Sequence, residues 1–147
     1  MSDALNMPGL RHALMEYGRA RSAAIGAARR ELGIGEGDAT ALLHIADNPG
    51  IRPTQLREHL GITAAGITAL IDRLVDRGAV RRDVDPSDRR VNRISLTIDL
   101  GQEPWVALTR FDDDFDEAVL TADEGEVLRF AELLGSLTSV VVDRAAR

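Results

Sequence analysis

No cysteine occurs among the 147 residues. That removes disulfides, thiolate metal sites and thiol-based redox sensing from the functions open to the chain. Lysine is missing too, and all eighteen basic residues are arginine. Coding bias explains such usage as readily as selection. In either case every side-chain cation apart from histidine is a planar fork suited to phosphates and flat edges. Aromatic residues make up 3% of the chain, too few for a rich stacking pocket. No apolar run approaches the roughly 20 residues of a membrane span. The N-terminus shows no charged start followed by an apolar block, so no secretory signal is expected and a cytoplasmic location is the default. His12, His44 and His59 are scattered without the spacing of metal ligands. G-x-S-x-G, a glycine-rich phosphate loop and a histidine paired with a nucleophile are all absent. We therefore expect no enzyme, no metal and no cofactor.

What is present is ordinary in amount and uneven in placement. An apolar fraction of 44% and a charged fraction of 29% suit one globular domain with a core. The net charge is −6, yet Arg52 to Arg93 holds nine arginines against six carboxylates. The rest of the chain carries nine arginines and eighteen carboxylates. A locally basic segment can bind nucleic acid even when the whole chain is acidic.

Periodicity orders the elements. Leu10, Leu14, Tyr17, Ile25, Ala28 and Leu32 predict a helix from about Met7 to Leu32. "GIGEGD" breaks it, and Asp38 is the expected cap of a second helix, "ATALLHIAD", which "NPG" ends. Pro53 opens a short helix, "PTQLREHL", where its missing N–H costs nothing. After the turn "GIT", Thr63 caps a helix whose Ile67, Leu70, Ile71, Leu74 and Val75 form one apolar face. Gly78 ends that helix. "AVRRDVD" and "NRISLTI" alternate like two strands joined by "PSDRRV", an antiparallel hairpin. Pro104 is expected to open a helix carrying Trp105, Leu108, Phe111, Phe115 and Val119. Thr121 and Glu124 form a capping box for a last helix, with Val127, Phe130, Ala131, Leu134, Leu137 and Val141 on its apolar stripe.

Two helices joined by a glycine-containing turn, the second one well capped, describe a helix-turn-helix. Its second helix has the length to lie in a major groove. The hairpin that follows has an arginine-rich tip, "DPSDRRVNR", and makes the motif a winged helix. The stretch "PTQLREHLGITAAGITALIDRLVDRGAVRRDVDPSDRRVNRISLT" resembles the DNA-binding core of the multiple antibiotic resistance regulator (MarR) family. The likeness is clearest in "LIDRLVDRGAVRR", "DPSDRR" and "ISLT", and the flanking helices agree in order and length.

The resemblance implies a mainly α (α+β) fold. A winged helix-turn-helix over 38–98 would carry the small hairpin wing, and helices of 1–37 and 99–147 would form the dimerisation region. It implies a homodimer on a palindromic double-stranded operator, with no membrane partner. Arg90 would enter the minor groove, where a narrow A·T-rich tract attracts arginine. Asp88 would hold the wing in shape, while Arg89, Arg93 and Arg73 would meet phosphates. Arg77 is open between DNA, Asp72, Asp76 and solvent. Arg52, Thr54 and Gln55 begin the first helix of the motif, where free N–H groups favour phosphate.

The expected reading face is Thr63, Ala64, Ala65, Gly66, Thr68 and Ala69. None of these carries the fork or amide that reads guanine or adenine, so DNA shape and half-site spacing would supply much of the specificity. Arg57 replaces the small residue the family usually shows, and Gly66 weakens its helix by up to about 1 kcal/mol. "LTIDLG" is one residue longer than the usual L-T-x-x-G, which displaces the start of the Trp105 helix. The resemblance also implies a small aromatic or phenolic effector, with His12, Met15, Tyr17, His44 and Trp105 as candidate contacts; each of them is more readily an ordinary core or interface residue. The apolar stripes of the end helices need a partner surface, and a second copy supplies one. "DDDFDE" reads as a solvated acidic face around a buried Phe115. Two alternatives stay open: a winged helix used for protein contacts, and a regulator that acts without an effector.

Overall fold

The computed structural model describes residues 7–146. α1 (Met7–Leu32), α2 (Glu36–Asp47), α3 (Pro53–Leu60) and α4 (Ala64–Asp76) precede a hairpin of β1 (Val80–Val84) and β2 (Asn92–Leu96). A 3₁₀ turn (Trp105–Leu108), α5 (Arg110–Val119) and α6 (Glu124–Ala145) follow. The chain divides into two compact units between Phe111 and Asp112. Among the described residues no helix is long and apolar enough to cross a membrane.

Three helices end in the same way. After α1, the Ile34 N–H bonds the Arg29 carbonyl at 3.0 Å, a closure that needs a left-handed residue between them. Gly33 supplies it with φ 63°. Gly61 and Gly78 repeat the device after α3 and α4, with φ 63° and 72° and closing bonds of 3.3 and 2.9 Å. The turn between α3 and α4 is therefore set by backbone geometry that glycine alone adopts without strain.

The core lies where α2, α3 and α4 meet the hairpin. Leu42, Ile45, Leu56, Ile71, Leu74, Ile94 and Leu108 are fully buried, each contributing about 1.5–3 kcal/mol by leaving water. The strands pair antiparallel from Val80↔Leu96 to Val84↔Asn92, as the alternation predicts. Ile51 adds an isolated bridge to Ile94, so the loop between α2 and α3 joins the edge of the wing.

Four expectations are corrected here. α2 begins at Glu36 with Gly35 as its N-cap, because Asp38 lies inside the first turn, buried and bonded to Arg73. α6 is capped by Asp123, whose carboxylate accepts from the Glu126 N–H at 2.9 Å. Thr121 does not serve, since α6 starts at Glu124 and leaves it two residues before the cap; its hydroxyl donates to the Ala118 carbonyl at the end of α5, 2.7 Å away. The single helix expected from Pro104 is instead a 3₁₀ turn and a separate α5. The turn closes with the Thr109 N–H on the Val106 carbonyl at 3.2 Å and sinks Leu108 into the core. Within the single chain no residue of α5 is buried, and Phe115 is exposed rather than enclosed by its acidic neighbours.

In the second unit α6 buries nothing. Phe130, Leu133, Leu137, Val140, Val141 and Val142 are all exposed. Leaving six large apolar side chains of one helix in water sacrifices the stabilisation their burial would give.

Candidate nucleic-acid interface

α4 is built to present one face and to be held by the other. Thr63 Oγ1 accepts from the Gly66 N–H at 3.0 Å, which satisfies one of the free donors at the start of α4. Ile67, Leu70, Ile71 and Leu74 are buried, so Thr63, Ala64, Ala65, Thr68 and Ala69 face solvent together. Gly66 is only half-exposed, and a Cβ there would stand 3.1 Å from Thr63 Oγ1. The glycine that weakens the helix thus makes room for its cap. The Thr68 hydroxyl donates to the Ala64 carbonyl at 3.0 Å, which leaves it an acceptor towards a base edge.

Polar ties fix the flanks of α4. Arg73 Nη2 donates to Asp38 Oδ1 in α2 at 2.7 Å. Arg77 donates to the Leu32 and Gly33 carbonyls at the end of α1, at 3.1 and 3.0 Å. None of the partners open to it from sequence is used: it caps a helix C-terminus, where a cation is favoured. Asp72 pairs with Arg82 of β1. Hydrogen bonding to Asp38 raises the Arg73 pKa further above its already high value.

Asp85 organises the wing base. It is 2% exposed and accepts from the Ser87 N–H at 2.8 Å and Arg93 Nε at 2.7 Å. Those bonds hold its carboxyl below the usual range, the Ser87 N–H most strongly and Arg93 after it, with burial opposing them. The signal was readable: an aspartate accepting the N–H two residues on is the turn that "DPS" encodes. Arg93 also donates to the Gly50 carbonyl at 3.0 Å, and Arg52 Nη2 stands 3.9 Å from Asp85. The structure therefore ties Arg93, expected at phosphate, into the wing base.

At the tip, the Asp85 N–H bonds the Val91 carbonyl at 2.9 Å and the Val91 N–H bonds the Asp88 carbonyl at 3.0 Å. Asp88 Oδ1 accepts from the Arg90 N–H at 3.0 Å, so Asp88 shapes the backbone under Arg90. Arg89 and Arg90 are exposed. At the start of α3, Arg52, Thr54 and Gln55 are exposed as well. Gln55 Oε1 accepts from the Arg52 N–H at 3.1 Å.

The description "MarR family" belongs to the family model that matches residues 32–91, from the end of α1 to the wing tip. Those residues resemble that family. The chain is 37% identical over 82 residues to the transcriptional regulator HosA of Escherichia coli O111:H-, a match spanning 56% of this chain and 60% of that protein. It thus spans about 60% of the length of the curated relative it matches. Two solved structures share the fold. Transcriptional regulator Tm0710 from Thermotoga maritima has a TM-score of 0.65 at 22% identity, covering 95% of this chain and 99% of that one. An S. aureus MepR mutant bound to an oligodeoxyribonucleotide has 0.58 at 18%, covering 90% and 97%.

The residues that the resemblance would place in an effector pocket are spread over several surroundings. His44 stacks on His59 with ring centroids 3.5 Å apart and planes 9° apart. Burial lowers its pKa, the His59 charge lowers it further, and Asp47 works against both. His44 also lines an open cleft of about 350 Å³ with Asn48, Pro49, Gly50, Ile51, Gln55 and Arg93, which contains none of the other four. Tyr17 packs on Phe111, ring centroids 5.6 Å apart. Trp105 packs against the core, while His12 and Met15 are exposed on α1.

Proposed function

We propose that the protein is a transcriptional regulator that binds double-stranded DNA as a homodimer, acting in the cytoplasm as a repressor released by a small-molecule effector. One contrast carries the reading. Arg73, Arg77, Arg81, Arg82 and Arg93 are each committed to a carboxylate or a carbonyl. Arg89 and Arg90 at the wing tip have no side-chain partner among the described residues. In a chain of net charge −6, two unpaired guanidinium groups on a braced turn ask for an external polyanion. The MarR-family match over residues 32–91 and the fold shared with a MepR structure bound to an oligodeoxyribonucleotide favour DNA as that polyanion.

In this reading the N-terminal half of α4 faces base edges, the wing tip reaches the adjoining minor groove, and the start of α3 meets the backbone. The exposed apolar side chains of α6 support a dimer, which would set two recognition helices about 34 Å apart on one face of the duplex. The alanine-rich face of α4 offers methyl contacts and a hydroxyl in place of bidentate hydrogen bonds. Shape and half-site spacing then carry much of the specificity.

A gel shift on the DNA upstream of the protein's own gene tests the reading. A shifted complex that weakens steeply as salt rises is the expected result, because each neutralised phosphate releases counterion. No shift even at low ionic strength would leave the winged helix as a protein-contact module. Release by an effector is tested separately: a panel of phenols and small aromatic acids should contain one that both raises the melting temperature and dissolves the complex. If none does, the regulator acts without an effector.

A further inference from the structure

Asp38 stands in the first turn of α2, where a carboxylate is favoured, but it is buried and bonded to Arg73 of α4. It is 7% exposed, and the same turn touches α4 closely, since a Cβ on Gly37 would stand 3.5 Å from Leu70 Cδ1. A buried carboxylate needs a cation or a set of N–H donors. Here that cation is Arg73, whose side chain is 59% exposed. The pair is therefore lopsided, with an anchored anion below the surface and a cation whose outer edge stays in water.

Arginine has five N–H donors in a rigid fork. Only Nη2 is used, on Asp38 Oδ1 at 2.7 Å. No other partner of Arg73 exists among the described residues, so the rest of the fork is free. Arg73 lies one turn beyond Ala69 on the exposed side of α4, at the flank nearest α2. A groove-bound α4 would have a phosphate strand along that flank. Held by one corner to a fixed carboxylate, the guanidinium loses rotational freedom before it meets a ligand, which lowers the ordering cost of contact. This is the role an outer carboxylate plays behind a ligating histidine.

We propose that Asp38 is a positioning residue for DNA binding, orienting Arg73 so that its free donors meet a backbone phosphate beside the major groove. The proposal rests on the DNA-binding function above and names a residue in α2 that touches no DNA itself.

Counting phosphates separates positioning from mere support of the fold. Affinity for a mixed-sequence duplex of about 30 base pairs is measured by fluorescence anisotropy across about 50–200 mM salt. The proteins are wild type, Asp38→Asn, Arg73→Gln and the double variant. Arg73→Gln removes the charge and both Nη donors. One phosphate contact contributes about 0.9 to the slope of log affinity against log salt. Each single variant should lose about that much, which is about 3.5-fold less salt sensitivity over the range. The double variant should lose no more than either single one. A full slope in Arg73→Gln, a full slope or tighter binding in Asp38→Asn, or additive losses would each overturn the proposal. Should Asp38→Asn fail to fold, the wild-type protein decides through its Arg73 guanidinium NMR signals. They should show hindered rotation before DNA is added, shift on addition, and keep that hindrance. Free rotation before addition, or no shift after it, overturns the proposal. Wild type that binds no duplex at all refutes the DNA-binding function, whereas normal wild-type binding with unaltered variants refutes only the role of Asp38.

Discussion

Asp85 shows how a single side chain converts a flexible turn into a platform. Its carboxylate takes an N–H from Ser87 and the Arg93 guanidinium, and Arg93 in turn holds the Gly50 carbonyl. Strand, turn and the loop before α3 are thereby joined at one buried point. Because the folded-state pKa of Asp85 is depressed, the stability it contributes is fully present above the unfolded carboxylate value near about 4. That contribution is lost as pH falls through the lower folded value. Asp85→Asn should therefore melt below wild type at neutral pH, and the gap should close between about pH 4 and more acid conditions. A gap independent of pH in calorimetric scans would mean that the charge of Asp85 contributes nothing. At this scale the sequence was only partly legible. The D-P-S turn is local and could be seen, whereas Arg73 with Asp38 and Arg77 with Leu32 join residues 35 and 45 positions apart. No spacing rule reaches that far, so the sequence leaves Arg77 open and shows nothing of the bonds that hold Arg73 and Arg93.

Among the elements, α4 carries two local preferences that conflict. Its cap wants Thr63, and its first turn would gain helix propensity from alanine in place of Gly66. The Cβ of that alanine would meet Thr63 Oγ1 at 3.1 Å. Thr63→Ala should cost about 1 kcal/mol by urea denaturation. Gly66→Ala should gain little beside Thr63 but about 0.5–1 kcal/mol in the Thr63→Ala background. Equal gains in both backgrounds would show that cap and glycine are independent. The elements most legible from sequence were those whose apolar period and end signals coincide: α1, α3, α4 and the hairpin. The misplaced caps fall where candidates crowd together. Gly35, Glu36 and Asp38 stand within four residues, as do Thr121, Asp123 and Glu124, and tertiary bonds chose among them. The Trp105 helix was missed as two pieces because burying Leu108 and closing the Thr109 turn outweigh helical continuity there.

The whole molecule sets an acidic chain of net charge −6 against a small basic head, and apolar end helices against water. The exposed side chains of α6 account for the second contrast if a second copy covers them. A charge inside that surface should then split the dimer. Leu137→Glu should sediment as a monomer at concentrations where wild type is a dimer, with its duplex affinity greatly reduced. Wild type that sediments as a monomer at every concentration would remove the homodimer from the account. The central claim is narrower: the braced wing delivers Arg90 to DNA. Duplex affinity of Arg90→Ala against wild type, measured across salt with the oligomeric state monitored in parallel, addresses it most directly. The account predicts a dimer of unchanged size whose binding is weaker by about tenfold or more, as expected for the loss of a charged anchor, and less steeply dependent on salt. Affinity and salt dependence equal to wild type would contradict it.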